Sequence, residues 1–345
     1  MTVQVKLLNE QIDYMKRKLF GSSREKMEQQ TDGQLSFNLS DEADETIEEL
    51  KTINSINLYV VNTIDDLPQE TLDTIDVLVG GPTKEIVTKL PSLKLVQLFS
   101  AGANTFTWLD DSIILANAYG AYGKAIGEHM LASTLMFQKN FPAYYENQRE
   151  REWKHRDPVF VMKDATILSV GAGAIGSEYL RLCKLLGAKT IGVRRSIHDK
   201  PDYVDKLCTM DKLDTLLPEA DVVALSLPET EETIHLFNKD KFYLMKKSAI
   251  LINVGRGSAL VENDLITVLK EGYFQGVSLD VTEIEPLPKN NPLWNFPNVQ
   301  ITPHISGGYF STANYDNVIA VVKENLTRYA NNKPVLHEVN KKLGY

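Results

Sequence analysis

Cysteine is almost missing from this sequence: Cys183 and Cys208 are the only two in 345 residues. Two thiols are too few for a disulfide framework, so cohesion has to come from apolar packing, and nothing points to an oxidising compartment. Apolar runs of membrane-spanning length are absent, as is an early basic segment leading into a signal-peptide core. Positive charge is in deficit, with 37 Lys and Arg against 46 Asp and Glu, a net charge of −9. Such a surface repels phosphate backbones and anionic lipid, which argues against nucleic acid and membranes as partners and makes a cytoplasmic location the consistent expectation. A nucleotide held by local groups is still allowed. No metal is expected.

What is present is an ordinary globular composition, 43% hydrophobic and 24% charged, in a chain long enough for two domains. Near the start, Val5, Leu8, Ile12, Met15 and Leu19 alternate spacings of three and four, the apolar stripe of a helix or short coiled-coil seam. The string LLNEQIDYMKRKLFGSSREKMEQQTDGQLSFN resembles the N-terminal helical segment of insertion-sequence transposases. Residues 1–33 are therefore expected to be a helical extension, and a fused fragment that displaced the true start is one reading of it. Gln34 to Leu39 alternates in strand fashion, and Ser40 can cap a helix with Ala43, Ile47 and Leu50 as its buried stripe.

Beyond that point short apolar runs alternate with crossover-length segments: Leu58 to Val61, Val77 to Gly80, Val96 to Phe99 and Ile113 to Ala116. If Gln34 to Leu39 belonged to the foreign-looking segment, this domain would lack its central strand. Ser100, Ala101, Gly102 and Ala103 follow a strand closely, a tight turn whose free N–H groups could also hold a carboxylate. GKAIGEHMLASTLMF is an apolar helix expected to be buried between domains or at a subunit contact. NQREREWKHRD after it reads as a solvated linker anchored by Trp153.

A second pattern opens at Ala165 to Val170, a strand run followed directly by Gly171-Ala172-Gly173-Ala174-Ile175-Gly176 and a helix through Leu185. Glycines in this spacing make a tight turn, let backbone approach a pyrophosphate and allow close helix–strand packing, with the helix N-terminus facing the phosphates. Strand before and helix after is the context that raises a GxGxxG above a glycine-rich turn. The next strand, Lys189 to Val193, ends in Arg194-Arg195-Ser196 where a carboxylate would take a ribose 2′-hydroxyl; arginine there suits a 2′-phosphate. NADP(H) is accordingly favoured, with NAD(H) the alternative.

Three further strands, Val222 to Leu225, Ala249 to Asn253 and Gly276 to Leu279, end in residues of interest. Leu227-Pro228 could flank a cofactor, Val254-Gly255-Arg256-Gly257 offers an arginine fork to a carboxylate and its neighbouring carbonyl, and Asp280 closes the third. In SLDVTEIEPLP and ITPH, Glu285 and His304 form a candidate acid/base pair, since imidazole titrates near neutrality and a carboxylate orients it. A turn residue and a packed core histidine are the plain alternative. After His304 too little chain remains for another domain, and the tail is expected to return to the first one, with a cleft between two lobes.

GAGAIG, NVGRGS, LDVTEIEPLP and ITPHISGG, in this order and spacing from about Leu58 to Tyr345, resemble the D-isomer-specific 2-hydroxyacid dehydrogenases, the group of glyoxylate/hydroxypyruvate reductases and phosphoglycerate dehydrogenases. That resemblance implies two doubly wound parallel α/β domains, a flavodoxin-like catalytic domain (34–150 plus 305–345) and a Rossmann dinucleotide-binding domain (151–304). It implies hydride transfer between NAD(P)H and a small 2-keto or D-2-hydroxy acid. Arg256 would bind the substrate carboxylate and carbonyl, Glu285 would orient His304, and His304 would be the acid/base. Ser100 to Ala103 would supply backbone donors, Asp280 would face the nicotinamide carboxamide, and the protein would be a homodimer. Glu229, in Pro228-Glu229-Thr230, departs from the leucine that relatives often carry. A dinucleotide-sensing regulatory protein of the same fold, or an inactive fusion product, are the competing readings.

Overall fold

The structure, a computed structural model, describes residues 3–8, 50–53, 56–61, 64–197, 199–308 and 312–345. It divides into two compact units, residues 1–121 with 309–345, and residues 122–308.

The first unit is a five-stranded parallel sheet of β1 (Val3–Leu8), β2 (Ile56–Val61), β3 (Val77–Val79), β4 (Leu95–Gln97) and β5 (Ile114–Ala116), in the order β2-β1-β3-β4-β5. This is the flavodoxin-like order, with the chain reversing its direction of travel across the sheet at β1 and β3. Helices α1 (Gln69–Leu72) and α2 (Lys84–Thr88) occupy the crossovers foreseen from the sequence. The core is Ile75, Leu78, Val96, Leu98 and Leu115 with Val339 from the returning tail.

Val5 and Leu8 do not begin a helix. They lie in β1, which runs parallel to both β2 and β3 with Val5 opposite Leu58 and Val77. The central strand is thus supplied by the first eight residues, and the concern that the sheet lacks one is removed. The strand proposed at Gln34 to Leu39, the positions Ile12, Met15 and Leu19, and most of the helix after Ser40 lie outside the described residues. Leu50, from the stripe expected of that helix, is buried.

In the second unit seven parallel strands follow the order β12-β11-β10-β9-β6-β7-β8. They are β6 (Thr166–Val170), β7 (Lys189–Val193), β8 (Lys206–Cys208), β9 (Val222–Leu225), β10 (Ile250–Asn253), β11 (Gly276–Leu279) and β12 (Val299–Ile301). The strand order switches between β6 and β9, and the glycine-rich turn leaves β6 at that switch, where open α/β sheets bind ligands. Its helices are α3 (Gly123–Gln138), α4 (Phe141–Glu150), α5 (Ala174–Leu185), α6 (Leu213–Leu216), α7 (Lys239–Leu244) and α8 (Glu262–Lys270). The tail helix α9 (Thr312–Ala330) belongs to the first unit.

The boundary between units therefore falls near Ala121, ahead of α3, rather than at residue 150. The reason is local packing. A Cβ at Gly127 would touch Glu178 and Tyr179 of α5, the Thr134 and Tyr179 hydroxyls lie 2.6 Å apart, and Ser278 of β11 donates to the Ser133 hydroxyl. Gly276 is covered by the Phe137 ring, which a Cβ would meet at 2.1 Å. Tyr179 and Cys183 share that interior, and burial pushes the Cys183 thiol up to about 12. Trp153 anchors nothing, being fully exposed. The segment after α4 is held instead by Asn140, which donates to the Arg156 carbonyl, and by Asn147, which donates to that of Lys154. Among the described residues no helix is long and apolar enough to cross a membrane.

Candidate active site

The turn after β6 is built so that only glycine fits at its two ends. Gly171 has φ +97°, and a Cβ there would fall 2.7 Å from the Ser226 carbonyl oxygen. The N–H groups of Gly171 and Ala172 both donate to the Val193 carbonyl, tying the turn to the end of β7. At Gly176 a Cβ would sit 2.4 Å from the Ser169 hydroxyl and 2.5 Å from the Gly171 carbonyl, so the start of α5 lies directly on the strand. Gly173, at the N-cap of α5, is exposed. First-turn N–H groups of a helix have no acceptor within it, and those of Ile175 and Gly176 belong to this class. An exposed glycine leading into such a turn is a fitting cradle for a pyrophosphate.

Arg194, Arg195 and Ser196 follow β7 directly. Arg194 is half-buried and its Nη2 donates to the Asp199 carbonyl at 2.6 Å, whereas Arg195 and Ser196 are exposed. After β9, Ser226 donates to the Gly171 carbonyl and Leu227 is buried, so this strand end braces the turn.

Arg256 lies in the loop after β10, flanked by two glycines that packing requires. A Cβ at Gly255 would stand 2.6 Å from the Leu227 carbonyl oxygen, and one at Gly257 would stand 1.9 Å from that of Thr282. Asn253, buried at the strand end, accepts from the Gly255 N–H and donates to the Arg256 carbonyl, and Arg256 Nη1 donates to the Gly255 carbonyl. The sequence reading passed over Asn253, although a polar residue ending an apolar strand is a recognisable sign of a held loop.

Because Gly257 presses on Thr282, the arginine loop abuts the segment that carries Glu285. His304 Nδ1 lies 2.9 Å from Glu285 Oε2, and the Thr282 N–H donates to the other oxygen. With Nδ1 held by the carboxylate, the ring's remaining nitrogen, Nε2, is the one placed to exchange a proton. His304 adopts φ +54°, unusual for a side-chain-bearing residue, with its N–H shared between the Asp280 and Thr302 carbonyls.

Asp280 explains how that conformation is kept. It is 1% exposed, and its Oδ1 accepts from the Thr302 hydroxyl and the Ile305 N–H while Oδ2 accepts from the Ser306 N–H. Burial works to raise its pKa, but the hydrogen bonds from Ser306, Thr302 and Ile305 outweigh it and hold the carboxyl below the ordinary aspartate range. The resemblance assigned Asp280 to a nicotinamide carboxamide; in the structure its carboxylate anchors the 302–306 loop. Thr302 and Ser306 were missed because 22 and 26 residues separate them from Asp280.

Ser100 to Ala103 belong to the first unit, just past β4. Ala118 donates to the Ser100 carbonyl, the buried Asn117 side chain donates to that of Ala101 at 2.7 Å, and the Ser100 hydroxyl bonds to Gly102. The small-residue loop is a fixed turn, with Asn117 as its unforeseen prop. Among the described residues no group of three or more His, Cys, Asp or Glu side chains could hold a metal ion.

Residues 131–306 match the model of the family described as D-isomer specific 2-hydroxyacid dehydrogenase, NAD binding domain. The chain belongs to this family. Family membership makes it an oxidoreductase that passes a hydride between NAD(P)H and a 2-keto or 2-hydroxy acid. A glyoxylate reductase of Thermofilum pendens is 31% identical over 271 residues, which cover 73% of this chain and 78% of the relative. A D-isomer specific 2-hydroxyacid dehydrogenase family protein of Aeromonas salmonicida superposes with a TM-score of 0.78 at 27% identity, covering 99% of this chain and all (100%) of that one. An NADPH-dependent glyoxylate/hydroxypyruvate reductase of Sinorhizobium meliloti, solved with NADP and sulfate, shares the fold at a TM-score of 0.79 and 23% identity, each chain covered in full (100%). Residues 7–71 also match a family described as Transposase C of IS166 homeodomain. That match begins at the end of β1 and contains β2, so it overlaps the dehydrogenase sheet rather than lying wholly ahead of it.

Proposed function

We propose that this chain reduces a small 2-keto acid to its D-2-hydroxy acid with NADPH, using His304 as the acid, Glu285 as its orienting carboxylate and Arg256 as the carboxylate and carbonyl ligand. The observation that carries this is the 2.9 Å contact of His304 Nδ1 with Glu285, which leaves Nε2 for the substrate. The nicotinamide, when bound, supplies the hydride that reaches C2. His304 Nε2 gives its proton to the carbonyl oxygen as charge gathers there, and Arg256 stabilises the same oxygen through its guanidinium. Glu285 holds the ring at Nδ1 and fixes its rotation. Ser100 to Ala103 contribute backbone N–H groups to the substrate carboxylate. Gly171, Gly173, Ala174, Ile175 and Gly176 hold the pyrophosphate, with Leu227, Pro228, Val254 and Gly255 completing the cofactor's bed.

Arg195, with Arg194 and Ser196, takes the 2′-phosphate, since an exposed guanidinium at this strand end suits a dianion where a carboxylate would repel it. The NADPH-dependence of the Sinorhizobium reductase supports the same preference. A cytoplasmic homodimer completes the reading. Phe141, Tyr145 and Trp153, exposed by 60%, 62% and 100%, form apolar surface on the nucleotide-binding unit that a second copy would cover. The acidic net charge argues against nucleic acid and membrane partners.

The test is a steady-state assay of NADPH and NADH oxidation with glyoxylate, hydroxypyruvate and larger 2-keto acids. Turnover with NADPH well above that with NADH is expected. Tight NADPH binding without turnover on any acid would favour the dinucleotide-sensing reading instead.

A further inference from the structure

Beside the His304–Glu285 pair stands a second histidine–carboxylate pair that the reaction does not use. His235 Nε2 lies 3.0 Å from Glu283 Oε1, two residues before Glu285. His235 has φ +54°, and its N–H donates to the Ser258 carbonyl at 2.7 Å. Ser258 is two residues past Arg256, and its hydroxyl donates to Glu229 at 2.5 Å, the residue that departs from the leucine expected of relatives. Phe237 and Leu260 continue this pairing as a parallel bridge. Gly257 lies between these contacts, against the backbone of Thr282 and Glu283.

The segment 229–237 thus holds the arginine loop at Ser258 and, through His235, reaches the segment that carries Glu285. We infer that Glu229, His235 and Glu283 are positioning residues forming a latch that sets Arg256 against Glu285 and thereby aligns the carboxylate-binding fork with the proton donor. The inference rests on the roles proposed above for Arg256 and His304. His235 is 55% and Glu283 30% exposed, and pairs at that exposure contribute little to global stability. A left-handed conformation at a histidine is kept only where surrounding contacts hold it, and here those contacts lead to the two loops of the site.

The test compares His235→Ala, Glu283→Ala, the double variant and His235→Gln in the full chain. Steady-state kinetics with NADPH and glyoxylate are run alongside amide hydrogen exchange over residues 254–260 and 280–286. Each alanine variant is expected to lower kcat/KM for the keto acid about tenfold, mainly through KM, with the double variant no worse than either single one, as for partners in one interaction. KM for NADPH and Tm stay unchanged to within about 2 °C, as the exposure of the pair requires. Exchange in both segments quickens, and His235→Gln, whose amide can still donate to Glu283, recovers most of the loss. Unchanged exchange with unchanged kcat/KM overturns the latch, as do multiplying effects in the double variant or a fall in Tm that accounts for the lost activity. A wild-type chain inactive on every keto acid would count against the proposed function, and the exchange data alone would then decide the latch.

Discussion

His304 and Glu285 meet at 2.9 Å through Nδ1 and Oε2, and the Thr282 N–H fixes the far side of the same carboxylate. The carboxylate cannot swing away without breaking a backbone hydrogen bond, so the imidazole is held in one rotation with Nε2 outward. His304→Gln should lower kcat at least about a hundredfold, the typical contribution of a positioned acid, with NADPH affinity little changed. Stopped-flow NADPH oxidation with a separate binding titration checks it; near wild-type turnover would remove His304 from the reaction.

Gly257→Ala should be far more damaging than its size suggests. The new Cβ would stand 1.9 Å from the Thr282 oxygen and 2.6 Å from the Glu283 nitrogen, both backbone atoms, so the two loops must part. A fall in kcat/KM of more than about tenfold is expected, since small misplacements of positioning groups cost that much. Gly272→Ala is the control: its φ of +75° imposes strain but a Cβ there meets nothing, so about 1–2 kcal/mol of stability is lost with activity retained. Equal activity losses in the two variants would show that the contact with Thr282 is unimportant.

Asp280 gives the site an acid limit. Its carboxyl is held below the ordinary value of 3.8 in the folded chain, so the folded state binds this proton less readily than the unfolded one. The stabilisation is present above the ordinary aspartate pKa and is lost as pH falls through the depressed folded value. Asp280→Asn should remove it: the amide nitrogen would face either the Ser306 N–H or the Thr302 and Ile305 donors. A loss of about 1–3 kcal/mol at pH 7 is expected, narrowing toward zero as the wild type is acidified below pH 4. Thermal melts of both proteins from pH 7 to pH 3 measure this, and a gap that stays constant with pH would contradict it.

Much of this was legible because parallel strands buried on both faces read as short continuous apolar runs, and because glycines that packing demands cannot be replaced by other residues. β6, β7, β9, β10 and β11 fall within a residue of their expected bounds for that reason. The short edge-side strands β8 and β12 were not foreseen, each being only three residues long. β1 was misread because Val5 and Leu8 fit two periods at once. Val3, Val5 and Leu7 alternate with Gln4 and Lys6 in strand fashion, but the longer three-and-four spacing through Leu19 dominated. The home of α3 was illegible for another reason: an apolar helix shows that it is covered, and only Gly127, Phe137 and Gly276 together show by what. The contacts of His304 and Glu285 were suggested by residue type, whereas those of Asp280, Asn253 and Asn117 depend on where loops meet.

Cofactor choice should turn on Arg195 more than on Arg194. Arg194 is half-buried, while Arg195 is exposed at the end of β7. Arg195→Ala should raise KM for NADPH about tenfold or more, the worth of one charge-assisted hydrogen bond, and leave KM for NADH within about twofold. Parallel changes with both cofactors would mean that Arg195 does not meet the 2′-phosphate.

The strand Val3–Leu8 makes the opening residues part of the enzyme's first sheet, and this can be separated from the transposase-like stretch that follows. Removing residues 1–8 takes away the strand between β2 and β3, which have no other connection to each other in the sheet order. Those two strands then present unpaired backbone edges, and the cost of several unsatisfied or re-solvated ladder hydrogen bonds, each about 0.5–1.5 kcal/mol, is comparable with the whole stability of a small domain. Two melting transitions are expected in that variant, with the first unit lost early and NADPH binding by residues 122–308 retained. Keto-acid turnover should vanish, because Ser100 to Ala103 belong to the unit that is lost. Replacing residues 12–40 with a flexible linker of about fifteen residues, long enough for a parallel crossover, should in contrast leave both Tm and turnover close to wild type. If the shortened chain unfolds and the variant lacking residues 1–8 does not, the central strand comes from the replaced stretch and the register Val5 to Leu58 and Val77 is not the one the protein uses.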